Sequence, residues 1–216
     1  SAKPYSNLTS RAHRLWSRLS GRPPERGEIR ALTGALVLLA DHELAASTLA
    51  ARVAASVWAD PYLVLLTGLS AGGGLLHAGA VSQVETLLRN ADAPTLVAEW
   101  LRRGERIPGF GHKVYVGTDP RAETLLALLA RAGRRSEVDD VVARVLAQVE
   151  RLGGPAPNSD FALGAFVVKA GLEQGAGEAI FLIARMAGVV AHAMEEYPHR
   201  ARFRPRALYT GPAPRS

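Results

Sequence analysis

The sequence predicts an all-α protein on three observations. No stretch sustains the strict alternation of apolar and polar residues, rich in β-branched and aromatic side chains, that marks strands. Residues 136–152 place Val138, Val141, Val142, Val145 and Leu146 on one helical face, with Glu137, Asp139, Arg144 and Glu150 elsewhere. Two Asp-Pro pairs, Asp60-Pro61 and Asp119-Pro120, join an N-cap residue to a proline suited to the first helical position.

The elements follow in order. Residues 1–28 are polar, with Pro23-Pro24 and several arginines, and read as a lead-in helix around Leu15, Trp16 and Leu19 followed by a loop. From 28 to 56, Leu32, Leu36, Leu39 and Leu44 recur near helical spacing among many alanines, which predicts one continuous helix with His42 in its middle. Asp60 starts the next helix, which runs to about Leu69 and stops at Gly72-Gly73-Gly74. Helices are predicted over 81–89, 94–103, from Asp119-Pro120 to 132, over 136–152, and from an Asn158 cap to Ala170. Gly175 and Gly177 precede the last long helix, 178–196. Its most apolar run, 179–194, is broken by Arg185 and reads as a buried helix too short for a bilayer. An Arg/Pro-rich tail follows Pro198.

Composition narrows the function. The 216 residues are 48% hydrophobic and 21% charged, which suits a globular chain with a real core. With no cysteine, disulfides and thiol catalysis are excluded; a cytoplasmic setting is expected. The net charge of +6 is carried almost wholly by arginine, which reads either as a solvated surface or as recognition of an anionic ligand. No basic patch interleaved with aromatics is present, so nucleic-acid binding is not expected, and neither is a metal site.

The groups able to do carbonyl chemistry lie near glycines, a proline or a helix start. Asp160 belongs in the first turn of the helix capped by Asn158, where the dipole favours its ionised form and it could serve as a base; alone, it is also an ordinary helix-start carboxylate. His77 follows Gly72-Gly73-Gly74, and His112 follows Gly111. Each could donate to a carbonyl oxygen as charge builds there, or be a satisfied core histidine. His42 reads either as a site group or as part of a charge cluster on a helix face. Arg121 sits at a helix start. Arg185 interrupts an apolar face and needs an anionic partner unless it reaches the surface. Arg204 lies in the tail. His192, with Glu195 and Glu196, reads as an exposed acidic helix face.

In order and spacing over residues 30–210, these segments resemble the citrate synthase family. Leu38 to Thr48 is similar to its Asp-His-Glu segment, and Gly74-Leu75-Leu76-His77-Ala78-Gly79-Ala80 to its Gly-Pro-Leu-His-Gly-Gly-Ala. Ile107 to Tyr115 with Asp119-Pro120-Arg121 resembles its Gly-Phe-Gly-His and Asp-Pro-Arg block. Pro157-Asn158-Ser159-Asp160-Phe161 resembles its Pro-Asn-Val-Asp-Phe. Ile183-Ala184-Arg185 and Arg204 to Tyr209 fit its last helix and tail. Leu75, Ala78, Val81 and Ser159 depart from the family's usual residues.

The resemblance implies a multi-helical fold with part of a large domain (29–75 and 173–216, after the 1–28 lead-in) and a small CoA-binding domain (76–172). It implies condensation of acetyl-CoA or propionyl-CoA with oxaloacetate. Asp160 would take the methyl proton, His77 would hold the thioester oxygen, and His112 would polarise the ketone. His42, Arg121, Arg185 and Arg204 would hold carboxylates, Arg204 from a partner subunit. Leu76, Pro108, Gly109, Phe110, Gly111 and Asn158 would line the CoA path. The CoA thioester is then a substrate, and no resident cofactor is implied. The family's N-terminal helices have no counterpart in this sequence, so the resemblance implies a homodimer, a partner chain supplying them, or a fragment of a longer protein. A non-catalytic oxaloacetate or CoA sensor and a citryl-CoA lyase remain alternatives.

Overall fold

The computed structural model describes residues 4–74, 78–133, 135–200 and 202–212. Among them are ten α-helices and no strand. They are α1 (Pro4–Leu19), α2 (Arg26–Leu38), α3 (Ala46–Ser56), α4 (Pro61–Gly72) and α5 (Gly79–Leu88), then α6 (Ala93–Arg102), α7 (Pro120–Ala130), α8 (Glu137–Arg151), α9 (Ser159–Lys169) and α10 (Ala176–Glu196). The all-α expectation holds. The capping chemistry behind it is present: Asp60 Oδ1 accepts the Tyr62 amide at 2.8 Å, Asp119 Oδ1 accepts the Arg121 amide at 2.9 Å, and Asn158 Oδ1 accepts the Asp160 amide at 2.9 Å.

The larger core surrounds α9, whose residues Phe161 to Val168 are all buried. Helix α9 packs on α5, α7, α8 and α10, and Ile29, Leu32 and Leu36 of α2 join the same core. A smaller core unites α3, α4 and the second half of α10 through Ala51, Ala55, Val64, Val189 and Ala193. Helix α10 therefore serves both. By length and mean hydropathy its segment could cross a bilayer, contrary to the expectation of too short a run. The helix starts at Ala176 and ends at Glu196, so it outruns the stretch read as apolar. Here Ile180, Phe181, Ala184 and Val189 are buried against other helices.

The predicted continuous helix over 28–56 is not formed. Helix α2 ends at Leu38, α3 begins at Ala46, and His42 lies in the turn between them. The reason is tertiary. A continuing helix would need the Leu39 and Ala40 carbonyls for its own amides. Instead Arg185 Nε donates to the Leu39 oxygen at 3.1 Å, and the Gly188 amide donates to the Ala40 oxygen at 3.1 Å. Glu43 then turns the chain with φ at 52°.

Candidate functional site

Two loops are stitched together at the start of α9. Gly109 and Gly111 adopt φ of 81° and 76°, which lets residues 107–112 fold closely over α9. A Cβ on Gly109 would meet Val84 and Phe161 at under 3 Å. The Gly111 amide donates to Ala156, the Asn158 amide to Gly109, and Asn158 Nδ2 to the Gly111 oxygen, at 2.8–2.9 Å. These bonds set His112 beside the first turn of α9, which carries Asp160. Asn158 thus caps α9 with one side-chain atom and holds the glycine loop with the other.

Asp119 secures the next part. Its buried carboxylate grips Arg121 through Nε at 3.0 Å and Nη2 at 2.8 Å, and accepts the Ser159 amide at 3.0 Å. Arg121 Nη2 also stands 3.2 Å from His112 Nε2. The other ring nitrogen of His112, Nδ1, faces the Val114 and Tyr115 amides at 3.0 and 3.1 Å. Backbone amides only donate, so Nδ1 is the acceptor and the neutral ring carries its proton on Nε2. Two donors, His112 Nε2–H and the Arg121 guanidinium, therefore converge on one point. An oxygen of a ligand is the group that satisfies both.

His42 meets His112 edge-on with ring centroids 4.9 Å apart, and Tyr115 stacks on His42 at 5.7 Å. Arg121 lies over the Tyr115 ring. Arg185 is only 2% exposed, so the surface reading fails. It meets the Leu39 carbonyl and the Phe181 ring, while Nη1 is buried with no hydrogen-bond partner. The anionic partner it was expected to need is not in direct contact.

Electrostatics match this geometry. Burial, reinforced by Arg121, His112 and Arg185, pushes the His42 imidazole down to about 4. Burial and Arg121 also lower His112, so both rings are neutral at pH 7. Burial raises the Asp160 carboxyl to about 6, against the pull of Arg121. Burial would raise Asp119 too, but its bonds to Arg121 and the two amides outweigh that and hold it below the usual carboxylate range. The result is a neutral-imidazole, double-guanidinium site beside a carboxylate poised to exchange a proton near neutrality.

A cavity of about 110 Å³ opens beside Asp160 and is walled by Pro108, Gly109, Phe110 and Asn158, four of the residues expected along a CoA path. Ala80, Gln83 and Arg106 also line it. The structure brings together Asp160, His112, His42, Arg121 and Arg185. It leaves Arg204 exposed on the tail. His77 and Leu76 lie outside the described residues. Sequence reasoning missed Tyr115, Asp119, Gln83 and Arg106. Asp119 was visible only as a cap, and nothing in spacing marked Tyr115 as a ring packed against two histidines. Among the described residues no group of His, Asp and Glu converges as a metal site.

These features define an all-helical protein in which two neutral imidazoles and two guanidiniums gather near a carboxylate raised to about 6. The chain belongs to the citrate synthase family: the family's C-terminal domain matches residues 2–206. A citrate synthase of Haloferax volcanii is 35% identical over 97% of this chain and 57% of its own length. The citryl-CoA lyase of Hydrogenobacter thermophilus superposes with a TM-score of 0.83 at 28% identity, over 95% of this chain and 85% of the lyase. Citrate synthase from Thermoplasma acidophilum, solved with carboxymethyl coenzyme A and oxaloacetate, gives 0.77 at 31% identity, over 91% and 55%. The chain spans about half the length of the curated relatives it matches.

Proposed function

We propose that this chain carries the condensation site of a citrate synthase-like acyltransferase joining acetyl-CoA, or propionyl-CoA, to oxaloacetate. The observation that supports this best is the convergence of His112 Nε2–H and Arg121 Nη2, 3.2 Å apart, next to a carboxylate raised to about 6. Asp160 takes a proton from the carbon next to the thioester, and the C–H electron pair becomes the enolate, whose oxygen His77 stabilises. The enolate carbon attacks the ketone of oxaloacetate. The ketone oxygen takes the proton on His112 Nε2. Arg121, Arg185 and His42 hold the carboxylates, and the unpartnered Nη1 of Arg185 finds its acceptor there. Water then cleaves the citryl thioester to citrate and CoA. Pro108, Gly109, Phe110, Gly111, Asn158 and Leu76 guide the CoA arm.

An exposed apolar face supports association. Leu49 and Val53 on α3, Trp58, and Tyr62, Leu63 and Leu66 on α4 all face outward. A homodimer, or a chain supplying the counterpart of the relatives' N-terminal part, would cover it and could bring Arg204 to a neighbouring site.

One observation favours a second reading. The citryl-CoA lyase is matched over most of its own length, unlike the citrate synthases. The same groups would then run the carbon–carbon step in reverse, cleaving citryl-CoA to acetyl-CoA and oxaloacetate. Two assays separate the readings. Thiol release from acetyl-CoA plus oxaloacetate supports the synthase. Oxaloacetate formation from citryl-CoA without thiol release supports the lyase. Oxaloacetate binding with neither reaction leaves the binding-protein alternative.

A further inference from the structure

We propose that His192, braced by Arg52, is a positioning residue that sets the turn presenting His42 to the site. This rests on the reading of that site as a dicarboxylate clamp. Neither residue belongs to the clamp itself.

One face of α10 holds the chain just ahead of His42. Residues 185, 188 and 192 grip residues 39, 40 and 41 in turn. Arg185 Nε takes the Leu39 carbonyl, the Gly188 amide takes the Ala40 carbonyl, and His192 Nε2 meets Asp41 Oδ1 at 3.0 Å. The next residue is His42. Gly188 has no room for a side chain, since a Cβ would meet the Ala40 oxygen at 2.3 Å. Beyond His42, Glu43 sits at positive φ, a conformation a non-glycine residue leaves readily unless neighbours hold it.

The direction of the bonds is fixed. Arg52 Nη1 stands 3.0 Å from His192 Nδ1. A guanidinium only donates, so Nδ1 accepts, and the neutral ring keeps its proton on Nε2 and gives it to Asp41. Arg52 is held in turn by Glu195 at 3.1 Å and by the buried Glu196 at 2.7 Å. The chain of contacts thus runs from Glu196 through Arg52 and His192 to Asp41. The sequence suggested an exposed acidic helix face, but the His192 side chain is only 16% exposed.

Two substitutions test the role. The amide of Gln reaches where Nε2 lies and can still donate to Asp41, whereas Asn reaches only as far as Nδ1. Calorimetry with oxaloacetate on the full chain should show His192→Asn binding about tenfold more weakly, and His192→Gln recovering most of the loss. The second readout needs no ligand. In the wild-type chain the His42 ring should titrate near 4 by NMR, since burial and the charges around it push its pKa down to about 4. In His192→Asn it should move toward the ordinary histidine value, and in His192→Gln it should stay. Equal behaviour of the two variants in both measurements would overturn the proposal and leave His192 a packing residue. Failure of the wild-type chain to bind oxaloacetate would count against the site reading alone, and the His42 titration would then decide the role of His192.

Discussion

Asp119 Oδ2 accepts the backbone amide of Ser159 at 3.0 Å while holding Arg121 Nη2 at 2.8 Å. One buried carboxylate therefore ties the start of α7 to the start of α9, and with it Arg121 to the neighbourhood of Asp160. Replacing it removes one partner of a buried ion pair and leaves the guanidinium and the Arg121 and Ser159 amides uncompensated. Asp119→Ala should cost about 3–5 kcal/mol in denaturant unfolding. Oxaloacetate binding should fall with it, even at temperatures where the variant remains folded.

Asp160 carries a stability signature of its own. Its folded pKa of about 6 lies above the free carboxyl value, so the native state binds the proton more tightly than the unfolded chain. Stability should therefore fall as pH rises from about 4 to 6, by roughly 2–3 kcal/mol. Asp160→Asn mimics the protonated form. It should be more stable than wild type at pH 8 by about that amount and equal to it near pH 3, while turnover drops at least about 100-fold. Denaturation midpoints at the two pH values check the first part, and thiol release the second.

His42 has the opposite sign. Its folded pKa of about 4 lies below the free imidazole value, so the unfolded chain binds the proton more readily. The stability it contributes is present above pH 6.5 and is lost as pH falls toward 4, by about 2 kcal/mol once solvent screening of the partly exposed ring is allowed for. His42→Asn should flatten that part of the stability–pH curve, measured by urea unfolding across pH 4–7.

Arg185 is a buried cation with an unpartnered Nη1, and burial lowers its pKa. A buried charge left in that state adds little to the stability of the fold. Arg185→Met fills a similar volume without a charge, so it should fold with a stability within about 1 kcal/mol of wild type or higher, despite losing the bond to Leu39. Oxaloacetate binding should be lost, as calorimetry would show. Strong destabilisation would mean that the guanidinium holds the fold itself.

Much of this architecture was legible locally. Asp60, Asp119 and Asn158 start their helices as their side-chain chemistry requires, and α8 was readable from its one-sided valines. The turn at His42 was not. Its alanines and leucines favour helix, and only the approach of Arg185 and Gly188, almost 150 residues later, takes the carbonyls that the helix would have used. Tyr115 was hidden for the same reason. Its value lies in packing against both His42 and His112, which spacing along the chain does not encode.

By itself, then, the sequence determined the helical class, the helix starts at Asp60, Asp119 and Asn158, and the identity of Asp160, His112, His42, Arg121 and Arg185 as groups suited to carbonyl and carboxylate chemistry. The tertiary structure alone decided that two imidazoles are neutral, that His112 carries its proton on Nε2, and that Asp160 sits near 6. Those properties come from burial and from charges brought together across three helices and two loops. No local stretch of the chain contains them.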